Sequence, residues 1–117
     1  MKFFKKKIPR KYKVGLKQNI IINDLGSIFL EPDEQITFKT KDRKEYDFCR
    51  KDWGYYSTPS YNDRLVNNFF KTAIVRNSKG QEYVMVVEKN KMKEFKEYLK
   101  KEKNFVLEWL DERKKSN

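Results

Sequence analysis

Along this chain, apolar and polar residues alternate more often than they recur at helical spacing. Tyr12, Val14 and Leu16 interleave with Lys11, Lys13, Gly15 and Lys17, the period-two pattern of a strand with a lysine row toward water. Ile20–Ile22 is a short β-branched run. Asn23-Asp24-Leu25-Gly26 then carries turn chemistry, and 27–30 reads as another short strand. Pro32-Asp33 turns the chain again. Ile36 and Phe38, the polar link 41–44, and Tyr46 and Phe48 predict a β-hairpin with its apolar residues as cross-strand neighbours. A second hairpin is expected from Ala73–Arg76, a turn at 77–80, and a returning strand over 82–88. That returning strand is apolar on both faces and so is expected to be central.

Helical spacing appears only near the end. From Asn90, a candidate N-cap, the residues Met92, Phe95, Leu99, Val106 and Leu110 recur on one face. Lysines and glutamates occupy the other, and Asn104 splits the run into pieces 91–103 and 105–113. The fold expected is therefore α+β. A curved antiparallel β-sheet of five to seven short strands, open or closed into a partial barrel, is packed by a C-terminal helix. Pro9 interrupts the leading segment, so residues 1–10 read as a basic N-terminal tail and 11–117 as a single α+β domain.

Composition narrows the chemistry. The 117 residues include 28 Lys and Arg against 17 Asp and Glu, one Cys and no His. Without His, the usual neutral-pH base and the His-dependent triads are missing, and a structural zinc site has almost no ligands. The four glycines approach neither a Walker A nor a dinucleotide spacing, and the acids near Asp33 lack the spacing of an EF-hand. No cofactor or metal is implied. Cys49 has no cysteine partner and gives no sign of an oxidising compartment. The apolar runs fall far short of a membrane-spanning helix, and the basic start is followed by no signal-like apolar stretch. A cytoplasmic setting is the resulting expectation.

The charge changes meaning when it is located. Residues 1–17 hold eight basic and no acidic residues. Residues 18–90 hold eleven of each, and 91–117 hold nine basic and six acidic. The middle of the chain is neutral. Lys5, Lys6, Lys7, Arg10, Lys11 and Lys13 are candidates for contact with nucleic acid or an anionic membrane surface, where Phe3 and Phe4 would insert. The competing reading makes these lysines edge-strand protection or a solvated terminus. Lysine far outnumbers arginine, the better bidentate reader of phosphate, and no nucleic-acid-binding motif is visible.

Residues 50–64 fit neither period. Trp53, Tyr55, Tyr56 and Tyr61 lie within nine residues, flanked by Arg50, Asp52 and Arg64, with Gly54 and Pro59 shaping the backbone. A long aromatic loop in a small domain suits a sugar ring, a nucleobase or a partner's side chain. Its bland counterpart is a loop that plugs the sheet, with Trp53 in the core and at least one tyrosine facing solvent. The binding set expected is Trp53, Tyr55, Tyr56, Asp52, Arg64 and Tyr61, in a non-enzymatic binding or accessory protein that recognises a partner protein or a sugar- or nucleotide-like ligand. The alternatives are a nucleic-acid-binding protein led by residues 2–17, and an enzyme built on Asp52 and Asp63. Cys49 is expected to pack rather than react.

Overall fold

Alternation governs the structure as it does the sequence. A computed structural model describes residues 1–114, so the last three positions of the expected 11–117 domain lie outside the described residues. Among the described residues, eight strands form three separate antiparallel sheets, and one helix exceeds a single turn. The α+β class holds. In place of one curved sheet there are three short ones of two, three and three strands. The chain divides into two compact units, 1–38 with 47–58 and 39–46 with 59 onward.

The first unit begins with a two-stranded ribbon, β1 (Lys2–Val14) against β2 (Ile20–Phe29). Most of residues 1–10, expected as a tail, thus lie in β1, with Lys2 to Lys5 and Arg10 paired to β2. Pro9 is tolerated because β1 bulges there: between Lys5↔Gly26 and Arg10↔Asp24, β1 inserts four residues opposite Leu25 alone. The turn chemistry of 23–26 is used in the same place. Asp24 accepts the Gly26 N–H at 3.1 Å, which supports an irregularity inside β2 rather than a reversal. The chain reverses instead at 15–19, where Gln18 N–H reaches the Gly15 carbonyl at 3.1 Å. The lysine row is as expected. Lys11 and Lys13 face Asn23 and Ile21, whereas Tyr12 and Val14 pair with Ile22 and Ile20 on the opposite face.

After a turn at Pro32-Asp33, β3 (Gln35–Lys39) and β4 (Glu45–Lys51) form the expected hairpin. Phe38 meets Phe48 edge to face at 6.2 Å. A further strand, β5 (Gly54–Ser57), pairs with β4. Cys49 is buried and free, in keeping with a packing role.

The second unit holds most of the core. Helix α1 (Arg64–Asn67) is a single turn that buries Leu65. Strand β6 (Phe70–Arg76) buries Phe70, Thr72, Ala73 and Val75. It is flanked by β7 (Glu82–Glu88) on one side and β8 (Phe105–Trp109) on the other. Two expectations change here. The apolar strand β7 lies at the edge, with Tyr83 and Val84 exposed, because β8 rather than β7 completes the far side of β6. Only the first helical piece forms, as α2 (Met92–Glu102). Lys103 takes a left-handed conformation (φ 54°) and ends the helix, and Phe105-Val106-Leu107 has the β-forming character to join a sheet. Phe95 of α2 still packs on Trp109 of β8 at 5.9 Å. Asn90 does not cap α2; its Oδ1 accepts from Lys44 Nζ at 2.9 Å instead.

Candidate functional site

The first half of the expected 50–64 loop is a tight hairpin that ends at Ser57. In register, Phe48 faces Ser57, Cys49 faces Tyr56, Arg50 faces Tyr55 and Lys51 faces Gly54, which leaves Asp52-Trp53 as a two-residue apex. Gly54 sits at φ 149°, a region essentially reserved for glycine, and that lets the chain re-enter the ladder immediately after Trp53. The sequence hid this strand because Arg50-Lys51 and Tyr55-Tyr56 obscure the alternation.

The hairpin displays its rings. Trp53 is 68% exposed, Tyr55 64% and Tyr56 45%, so the expected core plug is corrected: these rings do not fill a core. Alternation then separates the tyrosines onto opposite faces. On one face Trp53 stacks on Tyr56, with centroids 6.2 Å apart and planes 25° from parallel. Lys51, on the same side, pairs with Asp33, and that contact holds its ammonium pKa above the ordinary value. On the other face the Arg50 guanidinium lies 5.2 Å from the Tyr55 ring centre and donates to the Gly54 carbonyl at 3.0 Å.

The expected set is therefore divided. Asp52, Trp53, Tyr55 and Tyr56 share the β4–β5 hairpin, with Asp52 exposed at the apex. Tyr61 and Arg64 belong to the second compact unit, where Tyr61 bonds to Arg113 and raises that guanidinium's pKa. Arg50, which locks Tyr55, is a residue of this hairpin that the expected set left out; its place two positions from the apex was the available signal. Asp63, the other candidate acid, is also in the second unit and accepts from Asn67 Nδ2 at 2.9 Å. Both acids are exposed. Among the described residues, no cluster of three or more Cys, Asp or Glu could hold a metal ion.

The basic candidates all lie on β1 and are exposed. Lys6 and Lys7 occupy the bulge, and Lys11 and Lys13 share one face. Arg10 is committed: its Nε approaches Asp24 at 3.3 Å and its guanidinium carbon lies 5.0 Å from the Tyr12 ring centre. The N-terminal basic residues thus sit in the same compact unit as the aromatic hairpin.

The second unit contains an open concavity of about 380 Å³ lined by Asp42, Arg43, Lys44, Glu45, Asn68 and Phe69. Arg43 and Phe69 both have left-handed backbone (φ 65° and 73°), which sequence alone does not reveal. Three of its four charges, Asp42, Lys44 and Glu45, are matched within the unit. Lys44 Nζ reaches Asp42 at 2.6 Å, Glu88 at 3.2 Å and Asn90 at 2.9 Å. Lys44, helped by Thr40, lowers the Asp42 pKa to about 2. Because Lys44 is shared by Asp42 and Glu88 and Glu45 pairs with Lys39, these three residues read as a structural network. No helix among the described residues is long and apolar enough to cross a membrane. Compared with known proteins, the chain matches no family model, no curated protein and no solved structure.

Proposed function

We propose that this chain is a non-enzymatic binding or accessory protein whose β4–β5 hairpin docks into a partner protein, with Trp53 as the anchor. The observation that carries this reading is the Trp53–Tyr56 stack, held on a two-residue apex with Trp53 68% exposed. Exposed Trp and Tyr on a rigid element are the residue types that dominate interface energetics, because a large area is covered at little cost in side-chain entropy. Small-molecule sites, by contrast, enclose most of their ligand's surface. The two cations nearest the apex are both engaged within the hairpin's own unit, Arg50 on Tyr55 and Gly54 and Lys51 on Asp33. Neither is free for a phosphate, so the apex suits an apolar groove. A reducing cytoplasmic setting accords with a buried, unpaired Cys49.

Photo-crosslinking tests this. A benzophenone side chain at position 53 is expected to give a discrete protein adduct in cells, lost when Tyr56→Ala removes the stack and absent with the probe at Lys79. Adducts of equal yield from both positions would refute it. The second reading is single-stranded nucleic acid, favoured by β1's seven Lys and Arg residues in the same unit as the stackable rings. On that reading, oligo(dT) quenches Trp53 fluorescence with an affinity that falls steeply as salt rises, and the protein adduct does not form.

A further inference from the structure

The β1–β2 ribbon carries most of the chain's unmatched charge. Residues 1–29 hold eight Lys or Arg and a single acid, Asp24. Among the described residues the two strands pair only with each other. Every residue of β1 but Pro9 and Val14 is exposed, and every residue of β2 but Ile20, Asp24 and Gly26. The result is a narrow, solvated, two-stranded arm of largely one charge sign.

Alternation gives the half of this arm next to the reversal two unlike faces. One presents Arg10, Tyr12, Ile22 and Asp24, and it is engaged with itself. Arg10 Nε meets Asp24 at 3.3 Å, and its guanidinium lies over the Tyr12 ring. The other presents Lys11 opposite Asn23 and Lys13 opposite Ile21. Among the described residues, the side chains of Lys11, Lys13 and Asn23 have no partner. Two ammonium groups, a free amide and an exposed aliphatic side chain therefore share one surface.

We infer that the β1–β2 ribbon enters the major groove of duplex DNA with its Lys11–Asn23 face toward the base edges. That groove is about 12 Å wide and admits a two-stranded ribbon. Its edges supply what this face lacks: guanine acceptors for Lys11 and Lys13, the adenine N6 and N7 pair for the Asn23 amide, and the thymine methyl for Ile21. Lys2, Lys5, Lys6, Lys7 and Lys17 are left for the phosphates. Other polyanions fit less well. Single strands are held by stacking, and this face has no ring, since Tyr12 lies on the opposite face beneath Arg10. Duplex RNA has a major groove too deep and narrow for side chains to read. At a lipid surface Phe3 and Phe4 could not insert together, because successive residues of a strand point to opposite faces. The ribbon is a site apart from the β4–β5 apex and does not rest on the protein-docking reading.

The test is fluorescence anisotropy of the full chain on a labelled, mixed-sequence DNA duplex. Five phosphate contacts predict a log–log salt slope of about −4.5, roughly a five-hundredfold loss of affinity between 50 and 200 mM salt. Lys13→Glu should weaken binding about tenfold more than Lys96→Glu, which makes the same charge change at an exposed position of α2. Asn23→Ala should keep the salt slope and relax sequence preference. With the unaltered protein, a duplex in which 7-deazaguanine replaces guanine, and so lacks the N7 acceptor, should bind more weakly. The inference is overturned by no binding at 50 mM salt, by equal losses from Lys13→Glu and Lys96→Glu, or by indifference to 7-deazaguanine. Equal or tighter binding to single-stranded DNA, duplex RNA or phosphatidylserine vesicles would also overturn it. A failed crosslink at position 53 leaves all these outcomes unchanged, so the two readings fail separately.

Discussion

Replacing Gly26 by alanine probes how the β1–β2 ribbon is held. Gly26 adopts φ 149°, and a Cβ built there would stand 2.2 Å from the Phe4 carbonyl oxygen and 3.0 Å from the Lys5 Cα. Both neighbours are backbone, so β1 itself must shift. The unfavourable φ costs about 2 kcal/mol for an L-residue, and displacing the Phe4 strand loses about one ladder hydrogen bond at a net 1 kcal/mol. About 3 kcal/mol corresponds to a hundredfold or greater rise in the opening equilibrium. Hydrogen exchange read by mass spectrometry should therefore show ribbon peptides exchanging about a hundredfold faster in Gly26→Ala, with peptides of the β6 core unchanged. Gly54→Ala is the matched control. Its φ is also 149°, but an added Cβ meets nothing within 4 Å, so only the backbone cost applies and its hairpin should loosen about fivefold less. Ribbon exchange within threefold of the parent, or equal effects at the two glycines, would refute the steric argument.

Two further outcomes are expected. Leu65 is 1% exposed, so Leu65→Ala should lower unfolding stability by about 3 kcal/mol in urea titration, and a loss below 1 kcal/mol would remove it from the core. Asp42 titrates near 2 in the folded chain against 3.8 ordinarily. A depressed carboxylate contributes stability that is present above the unfolded value and lost as pH falls through the folded one. Stability should therefore drop between about pH 4 and 2, the carboxyl carbon of Asp42 should titrate near 2 by NMR, and Asp42→Asn should remove that part of the acid limb.

What was legible in the sequence was alternation over short distances. The β3–β4 hairpin, the β6–β7 hairpin, the lysine row of β1 and the first helical piece all carry their period openly. Long-range pairing was not legible. Val106 and Leu110 continue the helical spacing of Leu99, yet Lys103 turns left-handed and β8 joins β6, from Arg76↔Phe105 to Ala73↔Trp109, far apart in sequence. That partner also moved β7 from the centre of the sheet to its edge. Asn23-Asp24-Leu25-Gly26 carried real turn chemistry that a bulge used instead of a reversal. At the candidate site the residue types were visible but their geometry was not. Arg50 and Tyr55 mask the period of β4 and β5, and nothing local shows that Trp53 caps a two-residue apex.

The division of the chain has a consequence for anyone dissecting it. The segment 39–46 belongs to the second unit, where Lys44 bonds Glu88 and Asn90 and Tyr46 lies 6.4 Å from Phe70, yet it interrupts the first unit in sequence. The backbone thus crosses between the two bodies three times. A cut at 58/59 leaves the first unit whole in the leading fragment but strips 39–46 from the second, because the leading piece carries a stretch that the trailing piece needs. Such a pair has the design of a split protein in which the trailing half is completed by the leading one.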